Sequence, residues 1–405
     1  MDSMKIHAHV TSLVLFAVFA DHALRAQAVG VSIPEDSVPA SWNRGFGLQR
    51  ADGDLWGIGP SYKARFTAAG VEFTPVMGPA APKSFPLVFS LESVRRGDAL
   101  IYEAPPGGIE PNQQGAVARY ERGTFVEAYE VRGEGIEQTF RFESLPQGTG
   151  ELIVRGRLTT ELLAPAVDSA SEGIRFEIGD LGGVSFGSVT GIDADGNRAA
   201  GWLRLEEGHL ELGLPGEFVD EAPFPLLLDP LIGSTVTITG GYDLDPDVAY
   251  DATVDVYLVV WERMISSTNY DVLGQRFSSA GALLGAPIPI STIDARGPAV
   301  ANLGAIDRFI VVWRHVSTTN PWSARTVNPI DGSTGLEIGC LVGTPCTGSA
   351  STGLDVSGYA GNDPIYASSA VVVFSDPSSS GIRYRVVNVS TNGFLSTNSP
   401  VVVST

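Results

Sequence analysis

Lysine is almost missing from this 405-residue chain, which holds it only at Lys5, Lys63 and Lys83. Lysine and arginine together number 26 against 46 aspartates and glutamates, a net charge of -20. That balance argues against nucleic acid or an anionic membrane surface as a partner, since both need clustered Lys and Arg. Histidine is scarce too: five in all, of which His7, His9 and His22 fall near the N-terminus. His209 and His315 alone leave little room for a catalytic triad or a histidine-rich metal site. Cysteine occurs twice, and two thiols without a nearby His, Asp or Glu make an incomplete zinc shell. Beyond the N-terminal segment no stretch approaches 18 apolar residues, so no transmembrane helix is expected after it.

What is plentiful is apolar residues (43%), glycine (47) and proline (26), with only 18% charged residues. The apolar share is too high for a disordered chain. Abundant Gly and Pro without a collagen period suit many short strands joined by turns.

The first 28 residues read as an export signal. Lys5 supplies the positive start, Val10 to Ala20 an apolar run too short to span a bilayer, and Ala26-Gln27-Ala28 a small-x-small cleavage site. Cleavage after Ala28 leaves residues 29–40 as an N-terminal linker. In an exported protein Cys340 and Cys346, separated by a stretch with Gly343 and Pro345, are expected to form a local disulfide.

From 41 to 232 the apolar residues alternate. Ile136, Gln138, Phe140 and Phe142 share one face, and Glu137, Thr139, Arg141 and Glu143 the other. Leu152, Val154 and Leu158 oppose Arg155 and Arg157, and Leu210, Leu212 and Leu214 oppose His209 and Glu211. Period two with one polar face marks antiparallel strands half exposed to water. Asp52-Gly53, Gly107-Gly108 and Asp195-Gly196 supply turns between them. Roughly a dozen strands and no convincing amphipathic helix predict a β-sandwich-like domain. The run Phe224-Pro225-Leu226-Leu227-Leu228-Asp229-Pro230 reads as its last strand, with Pro225 placing it at an edge or at its own start. Residues 233–244 form a linker holding a short candidate strand, Ser234 to Thr239.

Residues 245–405 repeat internally, as 245–292, 297–345 and 354–405. Val259-Val260-Trp261 matches Val311-Val312-Trp313 and then Val372-Val373-Phe374. Asp247-Val248-Ala249-Tyr250 matches Pro298-Ala299-Val300-Ala301 and Asp355-Val356-Ser357. Each copy offers four strands, near 247–250, 256–262, 271–277 and 286–291 in the first. Four strands at a period near 50 is what a propeller blade needs. With Gly274-Gln275 and Leu283-Leu284-Gly285 these anchors resemble the tandem blade-like repeats of large secreted bacterial proteins, in which a β-rich domain often precedes the repeats. The resemblance implies an all-β chain with a sandwich-like domain and three propeller-type blades, and a secreted or cell-surface setting. It carries no catalytic residues. Three blades do not close a propeller, so the chain is a truncated product, an open stack, or half of a six-blade ring shared by a homo-oligomer.

Candidate chemistry is thin. Gly183-Val184-Ser185-Phe186-Gly187 matches the nucleophile-elbow pattern, but a strand-like run follows instead of the required helix. Asp243, Asp245, Asp247 and Asp251 form the densest acidic cluster, a candidate calcium site or a solvated, turn-forming linker. Asp193 to Asn197 is a second acidic run, better suited to a hairpin turn. Glu206 and Glu207 are expected on opposite faces of a strand, and nothing isolates a carboxylate pair for glycoside hydrolysis. Arg96-Gly97-Asp98 is three residues long, too short to carry meaning. Trp322, Tyr359 and Tyr384 are candidates for a sugar-binding rim, although aromatics in such repeats more often fill the core. The expected function is non-enzymatic adhesion or binding of an extracellular polysaccharide or surface protein, without a cofactor unless calcium. The alternatives are a carbohydrate-active hydrolase with a carboxylate pair, and a structural envelope component or fragment of a longer repeat protein.

Overall fold

The computed structural model describes residues 46–164, 167–170, 172–235, 242–315, 322–339, 353–358, 368–376, 381–389, 395–397 and 401–404. The chain is all-β, built of five antiparallel sheets. The N-terminal segment expected to be an export signal, Cys340 and Cys346, and Tyr359 lie outside the described residues.

Two ten-stranded sheets form the first half and pack face to face as a sandwich. Sheet I runs, in spatial order, Gly47–Ala51, Asp54–Ile58, Tyr62–Thr67, Gly70–Pro75, Leu87–Arg96, Leu152–Thr160, His209–Leu214, Trp202–Glu206 and Val167–Ala170, with Ala99–Glu103 as a tenth strand paired to Leu87–Arg96 off this path. Sheet II centres on Gly135–Phe142. The alternation fills the space between them: Leu55, Phe66, Phe73, Phe89, Val154 and Leu212 come from sheet I, Tyr129, Phe140, Phe142 and Phe186 from sheet II. Burial of so many large apolar side chains is the main stabilising term, at about 1.5–3 kcal/mol for each fully buried one. Two tyrosines tie the layers. The Tyr62 hydroxyl donates to the carbonyls of Arg132 and Gly135, both at 2.6 Å, and Tyr120 reaches Thr67 O at 3.0 Å. Gln138 shares the apolar face, fully buried, because its amide donates to the Tyr129 hydroxyl at 2.7 Å. Tyr129 in turn donates to Glu127, which pairs with Arg122 at 2.6 Å.

The sandwich holds twenty strands, more than the alternation suggests, because many span only three to five residues. The helix Gly216–Glu221 has six residues, too few for a 3.6-residue stripe to show. Leu226–Asp229 is neither the last strand nor an edge. It lies inside sheet II between Gly135–Phe142 and Thr190–Ile192, with Pro225 just before its start. Leu231–Ser234 follows on the same partner strand, and Pro230, which lacks an N–H, separates the two segments.

The repeats form three small sheets. The first is Asp243–Asp251, Val256–Ser266, Asn269–Ser278 and Leu283–Ser291. The second is Ala295–Leu303, Arg308–His315, Ser323–Val327 and Ile338–Gly339. The third is Leu354–Gly358, Ser369–Asp376, Gly381–Val389 and Leu395–Thr397, joined by Val401–Ser404. Their registers superimpose. Val260, Val312 and Val373 pair with Asp247, Ala299 and Asp355. The second copy is thus set one residue further on than the sequence match with Pro298 suggests. A bulge stands at the same place in the first two copies, with Asp245 (φ 48°) and Gly297 (φ 54°) at equivalent left-handed positions.

The first two sheets pack through both faces of their central strands and the third through one, as their apolar runs allow. Val256, Leu258 and Val260 of the first sheet meet Phe309, Val311 and Trp313 of the second. Ile310 and Val312 of the second meet Ala370, Val372 and Phe374 of the third. So the aromatic anchor of each copy faces the preceding unit. For Trp261 that unit is the sandwich: it packs with Ala51, Trp56, Ile58 and Leu273. The first hairpin of sheet I, turned by Asp52 (φ 53°) and Gly53 (φ 86°), therefore caps the stack. Asp52 at its tip pairs with the buried Arg325 of the second sheet at 2.5 Å. Among the described residues the three sheets close no ring.

Candidate functional site

Sheet I has two outer halves. Its first strands are covered by the repeats, whereas Leu87–Arg96, Leu152–Thr160, His209–Leu214 and Trp202–Glu206 turn a face to solvent. Period two decides what that face carries. Val154 and Leu212 point into the core, so Arg155, Arg157, His209 and Glu211 point outward. Arg155 stands opposite Glu211 and Arg157 opposite His209, while Arg204 stands opposite Glu211 from the other side.

The result is a ladder across four strands. Arg155 Nη1 lies 2.8 Å from Glu211 Oε1, and Arg204 Nη1 lies 3.3 Å from Glu211 Oε2. Glu92 takes Arg157 Nε at 3.3 Å, and His209 Nε2 lies 3.4 Å from it. Three arginines (Arg155, Arg157, Arg204) meet three glutamates (Glu92, Glu211 and Glu206, which stands opposite His209), so this face is balanced in charge in a chain of net charge -20. At its far end stands Trp202, opposite Gly213. A Cβ on Gly213 would come within 2.1 Å of the indole, so the ring lies across the glycine. The Arg204 guanidinium sits 4.8 Å from the ring centroid.

This arrangement suits recognition rather than proton transfer. Glu92 and Glu211 are each engaged by arginines, so neither is set apart as a general acid. A guanidinium offers planar, directional donors to carboxylate and hydroxyl groups, and an indole offers an apolar plane. As pure surface ion pairs the ladder contributes little, about 0–1 kcal/mol per pair.

The residues singled out in the sequence fall elsewhere. Ser185 lies on the strand Gly183–Phe186 and the chain continues into Thr190–Ile192 without a helix, so no elbow forms. It lines a hollow with Arg175, Phe186 and Ser234, and no histidine lines that hollow. The four aspartates do not converge. Asp243 pairs with Arg263 at 2.7 Å, Asp245 sits at the bulge, Asp247 accepts from the backbone of Val248 and Val300, and Asp251 closes a turn through Thr253 N. Among the described residues no three His, Cys, Asp or Glu side chains gather as a metal site. Asp193 accepts from the backbones of Asp195 and Asn197, both at 2.9 Å, as a hairpin turn requires. Glu207 leaves its strand for the turn (φ 48°), so it does not flank Glu206 across a sheet. Arg96 is held by Asp220 and Pro146 O rather than displayed. Trp322 is fully buried and belongs to the core, and Tyr384 is half-buried on the third sheet.

His315 belongs to the interior of the second repeat sheet. It ends the strand Arg308–His315, is buried, and lies 2.9 Å from Ser323 Oγ and 3.4 Å from Glu337 Oε1. Serine, histidine and glutamate meet here, yet not as a triad. Hydroxyl and carboxylate share the same ring nitrogen, Nε2, where a triad needs one on each. Ser323 is also 1% exposed and out of reach of any substrate. Nothing in the spacing announced this contact, which depends on the register between two strands.

No family model matches the chain, and no curated protein matches it. Among solved structures it is similar to the crystal structure of a tetra-tandem repeat in the extending region of a large adhesion protein. Identity is 11%, coverage is 84% of this chain and 96% of that chain, and the TM-score is 0.09. A score this low says nothing of shared fold or function. Among the described residues no helix is long and apolar enough to cross a membrane.

Proposed function

We propose that this is an exported, non-enzymatic protein that holds a carboxylate-bearing extracellular polysaccharide on the open half of sheet I. The repeats serve as propeller-type blades that build a rigid mount behind it. The observation that carries the reading is Trp202 lying across Gly213 beside Arg204, at the end of a ladder that sets three arginines on one open face of a strongly acidic chain. Sugar rings stack on an indole plane, and guanidinium groups pair with uronate carboxylates. The N-terminal pattern of charge, apolar run and small-residue site supports export.

The test is binding of the purified chain to immobilised acidic and neutral polysaccharides. Saturable binding to acidic chains, weakened by salt and lowered roughly tenfold or more by Trp202→Ala, is expected. Absence of saturable binding, or binding indifferent to Trp202→Ala, overturns the proposal.

A further inference from the structure

Among the described residues the repeat stack has one covered end and one open end. At the covered end the hairpin Gly47–Ala51 and Asp54–Ile58 occupies the place that a preceding sheet would take. At the other, the third sheet packs Ala370, Val372 and Phe374 inward and turns Val371, Val373 and Ile382 outward, exposed by 37%, 38% and 47%. Tyr384 and Val386 share that outer face, opposite Val373 and Val371 in register. Equivalent faces of the first and second sheets are buried under the next sheet. Polar devices repeat as well. Asp247 binds its own neighbour Val248 N through Oδ1 and the following sheet's Val300 N through Oδ2. Asp355, its equivalent, binds Val356 N through Oδ1 at 2.8 Å, and its residue is exposed at the open face. The open face is thus a continuation of an interface the chain already uses twice.

We infer that a second copy of this chain covers it, tail to tail about a two-fold axis. The direction follows from the cap. Head-to-tail growth would need an uncovered aromatic-bearing face on the first sheet, and Trp261 already lies against the hairpin. Only the same face on both copies can meet, which closes the assembly at two. The charge pattern agrees. Copies of net charge -20 repel, so contact must come through a patch with little charge, and the central strands here carry valines. A sheet of this width and strand length offers about 500 Å² per copy, at the low end of stable interfaces, so association in the micromolar range follows.

Light scattering on size-exclusion fractions of the full chain tests this over loading concentrations from about 1 to 200 μM, a span that brackets micromolar association. A dimer that grows with concentration and strengthens with added salt is expected, because screening reduces repulsion between acidic copies. Val371→Glu with Val373→Glu shifts self-association at least roughly tenfold, and so does Ile382→Arg alone, each with an unchanged circular dichroism spectrum. Should the double variant misfold, Ile382→Arg decides. A monomer throughout the range, a dimer indifferent to the variants, or a ladder of higher multimers overturns the inference.

Discussion

The ammonium of Lys63, on a sandwich strand, donates to both carboxylate oxygens of Asp271, on a repeat strand, at 2.8 and 2.7 Å. Neither side chain is more than 7% exposed. Lys63 shares its face of sheet I with Trp56, whose ring centroid lies 5.7 Å away, and with the apolar contact to Leu273 and Trp261. One of three lysines in the chain is thus spent on fixing the repeats to the sandwich.

Removing one partner of this pair leaves a buried charge without its counterpart. Lys63→Met is expected to cost about 3–5 kcal/mol, read as a lower urea midpoint of the repeats. Lys63→Met with Asp271→Leu recovers most of that loss, because an apolar pair of similar volume carries no desolvation penalty. Burial raises the Asp271 carboxyl above the usual range even with Lys63 beside it. An acid with a raised folded value gains stability as pH falls. The deficit of Lys63→Met therefore shrinks as pH falls and protonation neutralises Asp271. A deficit that stays constant as the pH is lowered refutes this account.

Glu337 behaves oppositely. Burial works to raise its carboxyl, but hydrogen bonds with His315 and Ser323 and the charge of Arg325 outweigh it and hold it below the usual glutamate range. A depressed acid contributes stability that is complete above its unfolded value and lost as pH falls through the folded one. The second repeat sheet is expected to loosen in acid. Glu337→Gln flattens that dependence, as fluorescence of Trp313 and Trp322 titrated in urea at stepped pH will report.

Gly213→Ala is the conservative test of the recognition face. The added methyl meets the Trp202 ring and pushes it off the sheet. Polysaccharide binding is expected to fall about as far as in Trp202→Ala, with a destabilisation of roughly 1–3 kcal/mol from overpacking at this buried glycine. Unaltered binding means the flat indole is not used.

Gly358→Ala addresses the packing between second and third repeat sheets. A Cβ at this position would lie 1.9 Å from the Asn302 carbonyl oxygen, a backbone atom that cannot swing aside. A loss of roughly 1–3 kcal/mol is expected, typical of overpacking. Limited proteolysis will find it as faster cutting within the third repeat, with the sandwich untouched.

Much of this architecture was legible before any coordinates. Period-two alternation gave the paired faces around Gly135–Phe142 and Leu152–Thr160, and Asp52-Gly53 marked a turn that the backbone bears out with two positive φ values. The apolar character of both faces of Val259-Val260-Trp261 and Val311-Val312-Trp313 matches two sheets buried on both sides. What stayed hidden is whatever depends on register or on distant partners. Trp202 looks ordinary until its cross-strand neighbour proves to be Gly213. His315 and Ser323 come together through a strand pairing, and Asp52 meets Arg325 across 273 residues. The aspartates near Asp247 read as one cluster along the chain, yet alternation and a bulge send the carboxylates of Asp243, Asp247 and Asp251 to separate arginine or backbone partners. Very short strands, such as Thr190–Ile192 and Arg198–Ala200, fall below the window in which alternation is visible.

The hairpin cap also sets an order of events. Whether a chain emerges from a ribosome or a translocation channel, its N-terminal portion appears first and folds as a unit. Trp56 and Ile58 are then in place before Trp261 arrives, and the first repeat condenses on a surface that already exists. The second repeat finds the first waiting, and the third finds the second. Assembly of this kind is templated from one side, each step short in range, and no repeat has to search for a partner that has not yet been made.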